Sequence, residues 1–277
     1  MRKLLSANFS RLWKNKVFWA EMGFTALLSI FVVIANYSPE VQATENRLYL
    51  DDVFFTTYQI LGFILAAGIS LIIGTEYSDG TIRNKLVVGC TRAQIYFSNL
   101  ITGAVSCCLV FVIHGVVTFA VGSFFFDGFQ ISAAQVVFSL LCAFLASLVY
   151  ASAFVLIAMN CSSKSATAVV SLLLVLGLVY ACSFFSASVM EPETTYGTVT
   201  ITQNGVVYSD LIPNSAYIRG FQRTLYEFLY DLLPIGQLTQ MYYLDFTRCS
   251  RWPVFSIGLF MATALSGFLW FRRKDIK

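Results

Sequence analysis

The chain contains little charge and a single histidine. Asp, Glu, Lys and Arg make up 12% of its 277 residues, hydrophobic residues make up 57%, and the mean hydropathy is +0.72. A soluble domain usually carries about twice that fraction of charge, about 25%. The composition therefore excludes an ordinary soluble protein and predicts a protein that crosses a membrane several times.

Motifs for ATP binding, metal binding and disulfide formation are missing as well. No glycine is followed by lysine, so the phosphate-binding loop GxxxxGK[ST] does not occur and the chain cannot bind ATP in that way. There is no CxxC, HExxH or Cys/His cluster, and only Cys249 of the seven cysteines falls in a predicted external segment. We therefore expect neither a metal site nor a disulfide framework. No nucleophile, base and acid form a recognisable set, so we assign no catalytic residues.

Long apolar runs take the place of charge. A helix that rises 1.5 Å per residue needs about 20 residues to cross about 30 Å of hydrocarbon. Six segments, which we call spans one to six, meet this requirement: residues 17–36, 53–74, 99–121, 135–158, 166–187 and 253–271. The predicted fold is an all-α polytopic membrane protein with a single membrane domain over residues 1–277.

Lysine and arginine are distributed unequally between the loops. If the N-terminus is inside, most of the 18 basic residues lie in the inner segments, within 2–16, 83–92, 164 and 272–277. The outer segments hold more acidic than basic residues. Because positive charge favours the cytoplasmic side of a membrane, we predict that both termini are cytoplasmic.

Two amphipathic segments lie outside the spans. Residues 1–16 place apolar residues at helical spacing beside basic ones, which is typical of a helix in the membrane interface; a basic flank that happens to be helical is an equally good interpretation. Residues 188–252 form the predicted extracellular segment. There, alternation around Asn204-Gly205 predicts a hairpin, and residues 214–233 predict an amphipathic helix that Pro234 ends. Arg219, Arg223 and Glu227 are expected to line one face of that helix.

One charged stretch, EYSDGTIRNKLVVGCTRAQIY at 76–96, interrupts the apolar sequence between spans two and three. Ser78 or Asp79 is predicted to cap a short helix over 80–88, and Gly89 occupies the position of a left-handed residue that ends it. Thr91, followed three residues later by Gln94, is a capping-box pattern that opens the next helix. The sequence thus predicts a short helix on the cytoplasmic surface, joined tightly to two spans.

This stretch resembles the first cytoplasmic loop of ABC-2-type permeases, the membrane subunits of bacterial ATP-binding-cassette exporters. That loop reads as an acid, Gly-Thr, a basic residue, two apolar positions and then Ser or Thr with Arg. The matching residues here are Glu76, Gly80, Thr81, Arg83, Leu86, Thr91 and Arg92. The six spans, the N-terminal interfacial helix and the large segment before span six also fit, and LYEFLYDLLPIGQ resembles that region in Gram-positive members.

In that family the loop helix is a coupling helix that docks in a groove of a separate ATPase subunit. The resemblance therefore implies an ATPase-contact set at Glu76, Tyr77, Ser78, Asp79, Gly80, Thr81, Arg83, Asn84, Lys85 and Arg92, with a possible second contact loop at Ser162, Ser163 and Lys164. In the alternative interpretation, Arg83, Lys85 and Arg92 serve only to fix the topology.

The implied function is that of an exporter permease subunit, not an enzyme, in a bacterial cell membrane. The implied partners are two copies of an ATPase, which bind ATP and Mg²⁺, and a second permease, identical or related. The chain itself is expected to need no cofactor and to contact membrane lipid but no nucleic acid. Few charges within the spans favour a hydrophobic or amphipathic cargo such as a peptide, drug or lipid.

Two ionisable residues within the spans leave an ion-coupled secondary transporter open as an alternative, since such carriers usually bury groups that bind the coupling ion. Glu21 lies about one turn into span one, where we expect an interfacial or interhelical role. His114 lies toward the outer part of span three and is expected to be neutral and hydrogen-bonded to a neighbouring helix or water. A non-transporting sensor, or an immunity protein that sequesters a peptide outside, is a third possibility.

Overall fold

Helices dominate the computed structural model and account for 79% of it. The structure describes residues 1–38, 48–161, 163–196, 199–202, 205–208 and 211–275.

All six predicted spans are present as long apolar helices. Their bounds are Lys16–Asn36, Asp51–Ser78, Arg92–Gly122, Ala133–Asn160, Lys164–Met190 and Cys249–Arg273. Span two consists of a short helix, Asp51–Phe54, and a long one, Tyr58–Ser78; span six opens with a 3-10 turn, Cys249–Arg251, before Trp252–Arg273. The predicted all-α, six-span fold is confirmed.

The helices of spans two and three project beyond the apolar runs that predicted them. Span two continues to Ser78, and span three begins at Arg92. The Thr91 hydroxyl accepts a hydrogen bond from the Gln94 amide (3.2 Å), while the Gln94 side chain accepts one from the Thr91 amide (3.1 Å). This confirms the predicted capping box, which sets where the helix begins irrespective of hydropathy.

The core of the bundle lies around span four, which packs against spans two, three and six. Its inward face is built partly of small residues, including Ala143, Ala146, Ala151 and Ala158, all buried. Small side chains let membrane helices approach closely, and span six uses the same device. A Cβ at Gly267 would lie 2.2 Å from the Tyr96 hydroxyl.

One face of the bundle, which we call the termini face, carries both ends of the described chain. The N-terminal helix, Arg2–Lys14, packs against span three and buries Leu12. The loop helix, Thr81–Val87, connects spans two and three on the same face. Span six ends on the same face. The guanidinium of Arg92, at the start of span three, donates a hydrogen bond to the Phe271 carbonyl at 3.0 Å.

The segment between spans five and six combines paired strands with two helices, as predicted. Strands β2 (Val199–Thr202) and β3 (Gly205–Tyr208) form an antiparallel pair that aligns Thr202 with Gly205. The centre of this hairpin is therefore shifted by one residue from the one predicted at Asn204-Gly205. Strands β1 (Thr194–Tyr196) and β4 (Leu211–Pro213) pair outside them. The helices are Phe221–Leu232 and Pro234–Tyr242.

The first of these helices begins later than the sequence predicted. Gly220 precedes it with φ +65° and ψ −143°, a conformation that favours glycine and interrupts any helix from residue 214. Arg219 is therefore outside the helix, where its guanidinium pairs with Glu193 at 3.1 Å. The predicted pair within the helix is confirmed for Arg223 and Glu227, at 3.0 Å.

Candidate functional site

The loop helix is held at both ends by glycines with positive φ. Gly80 (φ +66°) is its N-cap, and no side chain caps it, so the predicted cap at Ser78 or Asp79 is wrong. Gly89 (φ +93°) ends the helix as predicted. The Cys90 amide donates to the Lys85 carbonyl (3.0 Å) and the Gly89 amide to the Leu86 carbonyl (2.9 Å), which together form a Schellman motif. Both ends of this short helix are therefore defined by the backbone itself.

A buried carboxylate fixes the loop helix to the end of span two. The Lys85 ammonium donates to the two Glu76 oxygens at 2.7 and 2.8 Å. Arg11 of the N-terminal helix donates to the same carboxylate at 2.9 Å. Glu76 is only 6% exposed, so this ion pair links three elements beneath the surface.

Two buried amides extend this arrangement to the start of span three. Asn99 donates to Glu76 at 2.9 Å and accepts from Asn8 at 2.8 Å. The Asn8 side-chain amide also donates a hydrogen bond to the Ser98 hydroxyl at 3.2 Å. The amide oxygen of Asn8 accepts one from the Lys85 ammonium at 2.9 Å. We call Asn8, Arg11, Glu76, Lys85, Ser98 and Asn99 the polar cluster. It joins the N-terminal helix, the loop helix and spans two and three.

The polar cluster satisfies its charges internally. Burial lowers the pKa of the Lys85 ammonium, and the adjacent Glu76 carboxylate opposes that shift. Two cations face one carboxylate, of which Lys85 is 10% exposed and Arg11 42% exposed. Removing one partner of a buried ion pair costs much free energy, because the other charge is left buried and unpaired. Replacing both partners with apolar residues often changes the stability little. The polar cluster therefore fixes the position of the loop helix, whatever its net contribution to stability.

The loop helix and the residues that flank it present one exposed face. Ser78, Asp79, Arg83 and Asn84 are exposed. Val87 and Val88 are 80% and 83% exposed. Sequence reasoning did not select these two valines, although apolar side chains beside a helix-ending glycine, with no periodic partner, were a usable signal. Together the six residues form what we call the loop-helix face.

The predicted contact residues of the loop thus differ in their exposure. Glu76 and Lys85 point into the polar cluster, whereas Ser78, Asp79, Arg83 and Asn84 lie on the loop-helix face. Gly80 and Thr81 form the turn between them. Their predicted role as ATPase contacts stays a prediction.

Two further predicted residues connect the loop to the end of span six. Arg92 donates to the carbonyls of Phe271 and Lys274. The Tyr77 hydroxyl donates to the Met159 carbonyl, and the Lys274 ammonium lies 4.1 Å from the centre of the Tyr77 ring. The basic group of Arg92 therefore satisfies carbonyls at a helix C-terminus, an interaction that favours cations.

The possible second contact loop is described only in part. Ser163 caps span five, with its hydroxyl accepting from the Ala166 amide at 3.2 Å. Lys164 is exposed, and its backbone packs closely on span two: a Cβ at Gly74 would lie 3.1 Å from the Lys164 Cα. Ser162 lies outside the described residues.

The two ionisable residues within the spans differ in their surroundings. The Nδ1 atom of His114 lies 2.8 Å from the Ser29 hydroxyl and 3.3 Å from that of Thr118. This confirms the predicted hydrogen bond to a neighbouring helix. Glu21 is 7% exposed and lies against span two, but within the described ranges neither of its carboxylate oxygens has a well-formed hydrogen bond.

Sequence reasoning missed Asn8, Arg11, Ser98 and Asn99 as members of the polar cluster. Asn8 was detectable, because it occupies the apolar face between Leu5 and Leu12 of the N-terminal helix, where a polar residue implies a buried partner. The pairing itself was not detectable, since Asn8 and Asn99 are 91 residues apart in sequence.

A comparison with protein-family models matches residues 4–190 to a family described as ABC-2 family transporter protein. The match includes the polar cluster, the loop helix and spans one to five. No curated protein matches the chain.

Proposed function

The chain belongs to the ABC-2 transporter family, and we propose that it is the permease subunit of an exporter that moves a hydrophobic or amphipathic cargo across a bacterial cell membrane. Family membership makes it a membrane component of an ABC transporter. The export direction, the class of cargo and the two cytoplasmic termini are part of the proposal.

The observation that supports this function best is the loop-helix face on its rigid base. Seven residues form a rod about 10 Å long, at 1.5 Å per residue. Its inner side is fixed by Lys85 in the polar cluster, and its outer side presents Arg83, Asn84 and two exposed valines. Interface cores favour apolar contacts with a polar rim, which is the composition of this face.

An ATPase that binds this face would move membrane helices directly. A force on the loop helix reaches span two through Glu76, span three through Asn99 and the N-terminal helix through Arg11. Since the sequence has no P-loop, the energy comes from ATP bound by the partner. Two such ATPases and a second permease, identical or related, would complete the transporter.

Closure of the ATPases has to change the affinity of the cargo site as well as its access. A ligand bound equally well in both states shifts no equilibrium between them. The proposed exporter therefore holds its cargo more weakly in the outward-facing state.

The decisive test is purification of the tagged chain from its native host, followed by identification of the proteins that elute with it. We expect a stoichiometric ATPase. The variant Val87→Asp/Val88→Asp places two carboxylates on the loop-helix face and should lose the ATPase while still inserting into the membrane. Leu211→Asp, at a residue 60% exposed in the segment before span six, is the matched control and should retain it.

Three results would contradict the proposal. The first is wild-type protein that elutes without an ATPase, and the second is an ATPase that stays with the double-valine variant. The third is cargo movement by the chain reconstituted alone with an ion gradient, which would instead establish an ion-coupled carrier.

A further inference from the structure

An apolar crevice of about 420 Å³ lies between spans one and two. Its walls include Val17, Phe24 and Leu28 from span one and Phe63, Ile64 and Leu71 from span two. Phe24 is 57% exposed and Ile60 37% exposed, so the crevice opens on the outside of the bundle. Small-molecule sites usually have volumes of about 300–1,000 Å³, so this crevice has room for the apolar body of a ligand.

Glu21 provides the only charged group in the lining of this crevice. Its carboxylate occupies the space left by the missing side chain of Gly68, where a Cβ would lie 2.0 Å from Oε1. Ser106 of span three is a polar neighbour of this carboxylate, but neither side chain forms a well-aligned hydrogen bond with a described residue. Among the described residues, Glu21 forms no ion pair.

An acidic residue in this setting calls for a physical explanation. Ionisable side chains within the hydrocarbon region are costly and normally pair with a charge or line a functional cavity. Buried polar groups without a partner are rare for the same reason. Arg11, a cationic residue of the adjoining N-terminal helix, already binds Glu76. The missing counter-charge is therefore not supplied by the described part of the chain.

We propose that the crevice binds a lipophilic cation. The apolar body of the ligand lies between spans one and two, and its ammonium group pairs with the Glu21 carboxylate once that side chain rotates out of the space beside Gly68. Charge complementarity selects this ligand, because a neutral chain of equal length leaves the carboxylate unpaired. The inference rests on the proposed function only in taking the ligand to be cargo; binding itself requires no ATPase.

The test uses the full chain alone in nanodiscs of zwitterionic lipid. Dicyclohexylcarbodiimide, a lipophilic reagent, adds to carboxyl groups in apolar surroundings to form an N-acylurea that mass spectrometry locates on the peptide. We expect modification of Glu21 and saturable protection by dodecylamine. Dodecanol has the same chain without the charge, and it should require at least a tenfold higher concentration in the bilayer for equal protection.

Two variants accompany the probe. Glu21→Gln should remove the modification, and it should also remove the saturable part of dodecylamine uptake measured by equilibrium dialysis of the nanodiscs. Gly23→Ala is the control on the same helix, since its Cβ meets nothing within 4 Å, and it should behave as wild type.

Each contrary outcome overturns a definite part of the proposal. Equal protection by dodecanol means that the crevice holds only acyl chains. If wild-type Glu21 is not modified, the carboxyl cannot be reached from the crevice. This result does not depend on whether a variant folds. Neither outcome affects the exporter proposal, and failure to find an ATPase leaves a positive binding result in place.

Discussion

Removing the Lys85 ammonium tests whether the polar cluster positions the loop helix. In Lys85→Met the Glu76 carboxylate loses contacts of 2.7 and 2.8 Å, and Asn8 loses one of 2.9 Å. Loss of one partner from a buried ion pair typically costs about 3–5 kcal/mol. Since Glu76 keeps Arg11 and Asn99 as partners, we expect a smaller loss of about 2–3 kcal/mol in the free energy of opening the loop helix.

Hydrogen exchange of the loop-helix amides measures that opening. A loss of about 2 kcal/mol corresponds to roughly 30-fold faster exchange, because about 1.4 kcal/mol is a factor of ten. Arg83→Met removes a cation from the same helix at an exposed position, so its effect should stay within about 0.5 kcal/mol, or roughly twofold. Both variants replace a cation with methionine in the same helix, so they change helix propensity to a similar extent. A difference in exchange between them therefore reports the burial of the Lys85 charge.

The double variant Glu76→Gln/Lys85→Met distinguishes an incompletely paired carboxylate from lost packing. Replacing both members of a buried pair with neutral groups is often nearly neutral, so most of the protection should return. If the double variant exchanges as fast as Lys85→Met, the incompletely paired Glu76 charge is not the cause. Equal exchange in Arg83→Met and Lys85→Met would refute the positioning role altogether.

Three further changes test other parts of the structure. Gly80→Ala forces a Cβ into φ +66°, which costs about 1–2 kcal/mol, and should speed exchange of the loop-helix amides without reducing membrane insertion measured by fractionation. Gly267→Ala overlaps the Tyr96 hydroxyl and should cost about 1–3 kcal/mol in thermal unfolding; Gly258→Ala, with nothing within 4 Å, should cost nothing, and equal effects would refute the close packing. Arg92→Met frees the carbonyls of Phe271 and Lys274, so limited trypsin digestion should cleave residues 272–274 faster than in wild type, and an unchanged rate would contradict the helix-capping role.

Local signals in the sequence were sufficient for the spans and for several helix ends. Apolar runs predicted all six spans, since the length needed to cross hydrocarbon is fixed by helix geometry. The Thr91–Gln94 capping box and the positive φ of Gly89 were predicted because both depend on residues within one turn. Even here, hydropathy marked only the apolar parts of spans two and three.

Local prediction failed where a single glycine changed the backbone direction. Apolar spacing after Pro213 suggested one continuous helix, but Gly220 adopts φ +65° and the helix begins at Phe221. Gly80 also has a positive φ, and the loop helix begins after it instead of after the predicted caps Ser78 or Asp79. Glycine permits these conformations without requiring them, so the sequence alone cannot say where they occur.

The sequence by itself determined how many times the chain crosses the membrane and where its charged loop lies, because both follow from hydropathy and near neighbours. Only the tertiary structure decided which loop charges are available to a partner. Glu76 and Lys85 turn inward because Arg11 and Asn99, distant in sequence, also donate to Glu76. Arg83 has no such partner among the described residues and is exposed. Glu21 shows the converse: folding buries it beside Gly68, and no cationic side chain in the described part of the chain pairs with it.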